Sequence, residues 1–233
     1  QARYMKVLRE IAGKFRVVIY SPVESGPVIP ELIEQLEGIS RYVVFTQYGL
    51  REIEKCLKTI RKSRPDFVFP EPSVIPHGLD TEAFHPISTS GANDNDSRRL
   101  IARRELFQNQ SELHNAFIVL NANRNQPRKQ IDLTMKGFAL FAEGKPSNVK
   151  LYLHMGIEDR GWNIIMLAKR LGIMDRLILT DNGNQHPNIS LKRLNLMYNA
   201  CDVGINTASG EGWGLVSFEH AATMAPQVVP KHT

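Results

Sequence analysis

The residues of this chain best suited to chemistry lie in Asn206 to Ala222, NTASGEGWGLVSFEHAA, which reads as the turn between a strand and a helix. Gly210, Gly212 and Gly214 let the backbone turn tightly and approach a ligand, while the free N–H groups and positive dipole end of the following helix favour an anion. A phosphate or pyrophosphate is the natural occupant. Leu215 stands where the third glycine of G-x-G-x-x-G would be, and no G-x-x-x-x-G-K-[ST] occurs, so a nicotinamide cofactor and a Walker-type triphosphate site are both disfavoured. Glu211 and Glu219 have seven residues between them, one in the loop and one about a turn into the helix. Carboxylates accept bidentate hydrogen bonds from neighbouring hydroxyls, so this pair suits a molecule with hydroxyls on both sides of its phosphates. A nucleotide sugar has that layout. Without the glycines the same glutamates would read as solvated surface groups.

A second loop, NANRNQPRKQID, directly follows the apolar run Phe117 to Leu120 and supplies cations. Arg124, Arg128 and Lys129 fall between that strand and the next helix, where ligands of open α/β sheets bind. Arg124 offers a planar fork for two phosphate oxygens and Lys129 a point charge. His154 ends another strand and reads either as a residue facing the nucleotide or as a structural group. Asp181 and Asn182 follow the strand Leu177 to Leu179, near where a base would be read, and Trp213 would shield the donor sugar or pack. Asp94-Asn95-Asp96 has the D-x-D form of a metal and nucleotide-sugar site, but no apolar strand precedes it to hold the carboxylates, so it reads as a solvated loop.

The elements that must position these groups alternate. Apolar runs of strand character recur at Phe15 to Tyr20, Tyr42 to Phe45, Phe117 to Leu120, Val149 to Leu153, Leu177 to Leu179, Val203 to Ile205 and Gln227 to Val229. Helical spacing lies between most of them, at Pro30 to Leu36, Gly49 to Lys62, Ile131 to Phe141, Asn163 to Leu171, Leu191 to Tyr198 and Leu215 to Thr223. Such alternation predicts an α/β, doubly wound architecture of parallel sheets. The polar run Ser88 to Ser97 is the expected domain junction, giving domains at 1–87 and 98–233. With two or three strands before the run and the last strand just before Thr233, the sequence reads as the end of one Rossmann-like domain and most of a second.

Composition sets outer bounds. The 233 residues, 42% hydrophobic and 23% charged, match an ordinary globular protein. Cys56 and Cys201 lie far apart without metal-type spacing, and there is no apolar run of about 18 residues, so a reducing, cytosolic setting without a bound metal is expected. The net charge of +5 suits contact with phosphates. Nucleic acid is not expected, because the basic residues lack interleaved aromatics; Arg98, Arg99, Arg103 and Arg104 read as a solvated helix face.

At the two loops the sequence resembles glycosyltransferase family 4, retaining enzymes of the two-Rossmann-domain GT-B type that transfer a sugar from a nucleotide diphosphate donor. The paired glutamates of that family map onto Glu211 and Glu219 in GEGWGLVSFEHA, and its Arg and Lys onto Arg124 and Lys129. MYNACDVGIN (Met197 to Asn206) is similar to its approach to the glutamate loop, and VIPHGLDTEAFHP (Val74 to Pro86) to the close of its N-terminal domain.

The resemblance implies that Glu211 contacts the hydroxyls of the donor sugar, which would be a hexose of the GDP-mannose or UDP-hexose kind, and that Glu219 contacts the ribose. Backbone groups around Gly212, Trp213, Gly214 and Leu215 would hold sugar and phosphate. Arg124 and Lys129 would take the charge of the leaving diphosphate in a front-face transfer that needs no divalent metal. Ser21, Pro22, Val23 and Glu24 occupy the place of a family histidine, so Glu24 or a backbone group would substitute for it. The acceptor, carbohydrate or lipid-linked, is not legible, and the family's N-terminal domain often makes peripheral membrane contact. Two further readings fit the motifs: nucleotide binding without catalysis, and sugar-nucleotide epimerisation on the same architecture.

Overall fold

The computed structural model describes residues 15–88 and 95–231. They form two compact units. The first comprises residues up to Gly78 together with Gly210–Trp213. Its three strands, β1 (Val18–Ser21), β2 (Arg41–Val44) and β3 (Ser73–Val74), pair in parallel in the order β1-β2-β3. Helix α1 (Pro30–Glu34) opens on a proline, whose missing N–H costs nothing in a first turn. Helix α2 (Gln47–Ser63) starts where the Thr46 hydroxyl accepts the Gly49 N–H at 3.0 Å, a capping bond for a donor the helix leaves unpaired. Ile53, Cys56, Leu57 and Ile60 recur at helical spacing and are buried with Ile19, Ile33, Tyr42 and Val44 in one apolar core.

The second unit runs from Leu79, leaving out Gly210–Trp213. Its strands are β4 (Phe117–Asn121), β5 (Val149–Leu153), β6 (Leu177–Leu179), β7 (Val203–Ile205) and β8 (Gln227–Val228). All pair in parallel, in the order β6-β5-β4-β7-β8. The helices are α3 (Asn95–Leu106), α4 (Ile131–Ala142), α5 (Ile164–Leu171), α6 (Leu191–Ala200) and α7 (Leu215–Ala222). Strand β4 is central, and its residues divide between two cores. Ile118 and Leu120 pack with Tyr198, Met197 and Phe107, whereas Val119 packs with Ile131, Met135 and Leu151. Burial on both faces explains why the strands are unbroken apolar runs.

The structure departs from the sequence expectations along this stretch. Phe84 is buried with Tyr198, and Leu79, Ala83 and Ile87 pack against the same core, so the compact division falls after Gly78 and ahead of the polar run expected to hold the junction. Residues 89–94 of that run, Asp94 included, lie outside the described residues, while Asn95 and Asp96 open α3 and are not loop. The arginines of α3 are also only partly a solvated face. Arg104 is exposed, but Arg103 is 7% exposed, donates from Nε to the Ala200 carbonyl at 2.8 Å and pairs through Nη2 with Asp202. Asp202 also accepts the Ile118 N–H at 2.6 Å, tying α3, β4 and the start of β7 to one carboxylate. Besides burying Ala102 and Leu106 in the apolar core, this helix is held by the ion pair, which apolar periodicity does not register.

Removing one member of a buried pair strands the other charge, at a cost of about 3–5 kcal/mol. Asp202→Ala is therefore expected to lower the urea unfolding midpoint sharply, whereas Arg104→Ala should stay within about 0.5 kcal/mol of the parent. Equal effects from the two variants in urea titrations would show that the Arg103–Asp202 pair is not what anchors α3.

Candidate functional site

The chain leaves β4 for β5 and β6, then crosses to β7 on the opposite side of β4. At such a switch point the loops after the two central strands diverge and leave a crevice outside their carboxyl ends. Those loops carry the two motifs singled out in the sequence. They are joined by hydrogen bonds: the Ser209 N–H donates to the Arg128 carbonyl at 2.9 Å, and the Thr207 hydroxyl lies 3.0 Å and 2.9 Å from the carbonyls of Lys129 and Gln130. Thr134, reached by the Asn121 amide at 2.8 Å, is 2.8 Å from the same hydroxyl. Lys129 closes a 3-10 turn, Pro127–Lys129, and Gln130 turns left-handed at φ 46° into α4.

Arg124 leaves this loop half-exposed and meets a partner that the sequence reading missed. Its Nε and Nη2 both donate to Asp159 Oδ2, at 3.3 Å and 3.0 Å. Asp159 lies between β5 and α5, in a loop fastened from below by Asn125. That side chain, fully buried, donates to the carbonyls of Gly156, Ile157 and Trp162 and accepts the Trp162 N–H, while its backbone carbonyl accepts the Arg160 N–H. The position of Asp159 after a strand of the parallel sheet was its one sequence signal; Asn125 gave none, because its role is hydrogen bonding to backbone.

His154 follows β5 and is 3% exposed. Its Nδ1 is 2.7 Å from the Thr180 hydroxyl, and its ring meets His186 edge-on at 4.9 Å between centroids. Burial lowers its pKa to about 4, with the neighbouring His186 adding to the shift and Asp181 opposing it. His186 is also lowered, first by burial and then by the charge of Arg124. Asp181 is exposed and its Oδ1 accepts the Gly183 N–H at 2.7 Å, shaping the turn after β6.

Gly214 adopts φ 84°, a left-handed conformation that favours glycine, and Leu215 begins α7 with no side chain capping its N–H groups. One turn on, Glu219 accepts the Tyr198 hydroxyl at 2.8 Å. Tyr198 is 1% exposed and stacks on His220 at 5.3 Å. Burial raises the Glu219 pKa, the Tyr198 hydrogen bond opposing it. Burial likewise lowers His220 to about 4. The second unit thus holds Arg124, Lys129, His154, Asp181, Gly214, Leu215 and Glu219. Gly210, Glu211, Gly212 and Trp213 group with the first unit. There a β-carbon on Gly210 would collide with the Glu24 carbonyl oxygen, and one on Gly212 with the Pro22 side chain, so both positions pack closely against this chain itself. Among the described residues no group of three or more His, Cys, Asp or Glu could hold a metal ion, and no helix is long and apolar enough to cross a membrane.

No protein-family model matches the sequence. A mannosylfructose-phosphate synthase of Agrobacterium fabrum is 25% identical over 166 residues, covering 68% of this chain and 32% of that protein. Sucrose-phosphate synthase from Thermosynechococcus elongatus has a TM-score of 0.66 at 18% identity, covering 98% of this chain and 54% of that one. A trehalose-6-phosphate structure from E. coli, bound with UDP-2-fluoro glucose, has a TM-score of 0.70 at 16% identity, covering 98% and 55%. The chain spans about half the length of these solved structures and about a third of the curated relative. At these identities the likeness is one of fold, and that fold is the α/β, parallel-sheet GT-B type.

The raised pKa of Glu219 has a consequence for stability. A carboxyl bound more weakly to its charge when folded contributes most below its unfolded value, about 4.3, and loses that contribution as pH rises through the folded value. Glu219→Gln keeps an acceptor for the Tyr198 hydroxyl and removes the charge. Its melting temperature should match the parent near pH 4 and exceed it at pH 7; a lower melting temperature at pH 7 would refute the charge penalty.

Proposed function

We propose that this chain carries the donor side of a retaining glycosyltransferase, similar to family 4, which transfers a hexose from a nucleoside diphosphate sugar. One observation carries the reading: the loop holding Arg124 and Lys129 is hydrogen-bonded through Thr207 and Ser209 to the segment that leads into α7 and Glu219, at the switch point of a parallel sheet. Cations, uncapped helix N–H groups and a carboxylate are what a diphosphate with a ribose attached requires.

In this reading Glu219, oriented by Tyr198, accepts hydrogen bonds from the ribose hydroxyls. The N–H groups opening α7 take phosphate oxygens. Arg124 and Lys129 hold negative charge that grows on the diphosphate as the glycosidic bond breaks, so they bind the transition state more strongly than the ground state. His154 and Asp181, at the ends of β5 and β6, lie on the side of the base. Departure and attack on one face then preserve the configuration at the anomeric carbon. A uridine donor is favoured by the E. coli structure bound with UDP-2-fluoro glucose, and hexosyl transfer by the mannosylfructose-phosphate synthase. The diphosphate charge is met by side chains, so no metal enters the scheme.

Calorimetric titration of UDP, GDP and ADP and their hexose conjugates tests the reading. One base is expected to bind in preference. Glu219→Ala and Lys129→Ala should each weaken that binding about tenfold or more, the range of a lost charge-assisted hydrogen bond. Absence of binding by all six compounds would overturn the assignment.

A further inference from the structure

We propose that Asp159 is a positioning residue that acts through Arg124: it is the resting counter-ion of that guanidinium, which an incoming diphosphate must displace. The inference rests on the nucleotide-sugar reading above and adds a residue that the two motifs do not contain.

Three features lead to it. Arg124 spends two of its five donors, Nε and Nη2, on the single oxygen Asp159 Oδ2. The side chain of Arg124 is 52% exposed while that of Asp159 is 10% exposed, so the cation is the member free to turn toward an anion in solvent. Asp159 cannot readily follow it, because the Asn125 side chain and carbonyl fix the loop on either side, at Gly156, Ile157, Arg160 and Trp162. Other charged and titratable groups close by include Glu158 and Arg160, which flank Asp159 in the chain, His186, which the charges of Arg124 and Asp159 both perturb, and beyond it His154 and Asp181.

A fixed anion beside a mobile cation makes phosphate binding an exchange of partners. When the diphosphate arrives, the guanidinium gives up all or part of its bonds to Asp159 and makes them to phosphate oxygens. When the product diphosphate leaves, Asp159 takes them back. The carboxylate therefore lowers the net cost of release, and its removal should hold the nucleoside diphosphate longer. No covalent step is involved.

The test is titration of UDP, with GDP in its place should that be the base that binds, into the parent chain, Asp159→Asn, Arg124→Gln and the double variant. Asp159→Asn should tighten UDP binding about two- to fivefold, the span of an exposed ion pair, steepen its salt dependence, and leave the binding of uridine, followed by ligand-observed NMR, unchanged. In the Arg124→Gln background the gain should vanish, which a merely structural role or simple charge repulsion would not produce. Unchanged or weaker UDP binding by a folded Asp159→Asn chain, or a gain that persists without Arg124, overturns the proposal and leaves the donor site standing. Should Asp159→Asn fail to fold, Asp159→Ser takes its place in the same series. A parent chain that binds neither UDP nor GDP removes the nucleotide reading and this proposal with it.

Discussion

The hydroxyl of Thr207 and the N–H of Ser209, bonded to the carbonyls of residues 128–130, join two loops that the topology would otherwise send apart. Strands β4 and β7 are neighbours in the sheet although far apart in sequence, and each is followed by a chain segment bound for a different edge. Without a lateral tie, the cations after β4 and the turn into α7 would be placed independently, each by its own flexible loop. With it, the backbone of the 3-10 turn at Lys129 and residues 207–209 form one surface. The Gln130 carbonyl in this tie also accepts the Leu133 N–H at 2.9 Å, so the same acceptor opens α4 and holds the neighbouring loop.

Beneath that surface the same solution recurs: buried polar side chains bond to backbone where a loop has no ladder of its own. Asn125 does this for the loop after β5, Asn121 for the turn at Asn123, and Asn206 for Ala208. A buried amide without partners is costly, but one with every donor and acceptor engaged fixes a loop as firmly as a strand does. This is how a crevice lined by irregular backbone can be preorganised at the edge of a sheet whose strands are mainly apolar.

The sequence made the sheet legible because apolar runs buried on both faces leave a direct trace, and the spacing of Glu211 with Glu219 and of Arg124 with Lys129 made the two loops legible. What it hid was of a different kind. Helix α3 carries little apolar periodicity, and besides Ala102 and Leu106 it is held by Arg103 against Asp202, a long-range ion pair that no local pattern encodes. The unit boundary was displaced because the residues before the polar run are tied to α6 through amides, Asn195 and Asn199 meeting the backbone at His85 and Ile87, and composition does not register such bonds. Asp159, Asn125 and Tyr198 escaped for a related reason. Each acts on a residue distant in the chain, so its meaning appears only once the fold has brought the partner to it.

Two carboxylates in the second unit show how the choice of partner divides the labour. Asp159 faces a half-exposed guanidinium, where water and salt screen the attraction and the pair contributes little to stability. Such a bond can be exchanged for another anion at small cost, and it suits a part of the site that must let a charged ligand in and out. Glu219 has its ionised form disfavoured by burial and supported by one neutral donor, Tyr198. Its orientation is set by a hydroxyl that is itself held by stacking on His220 in the core, so rearranging it would disturb packed side chains. A carboxylate of that kind is suited to reading fixed hydroxyl positions, because its geometry is settled before the ligand arrives. The exposure of the partner, a half-exposed guanidinium in one case and a buried hydroxyl in the other, therefore separates the exchangeable electrostatics at Arg124 from the preorganised hydrogen bonding at α7.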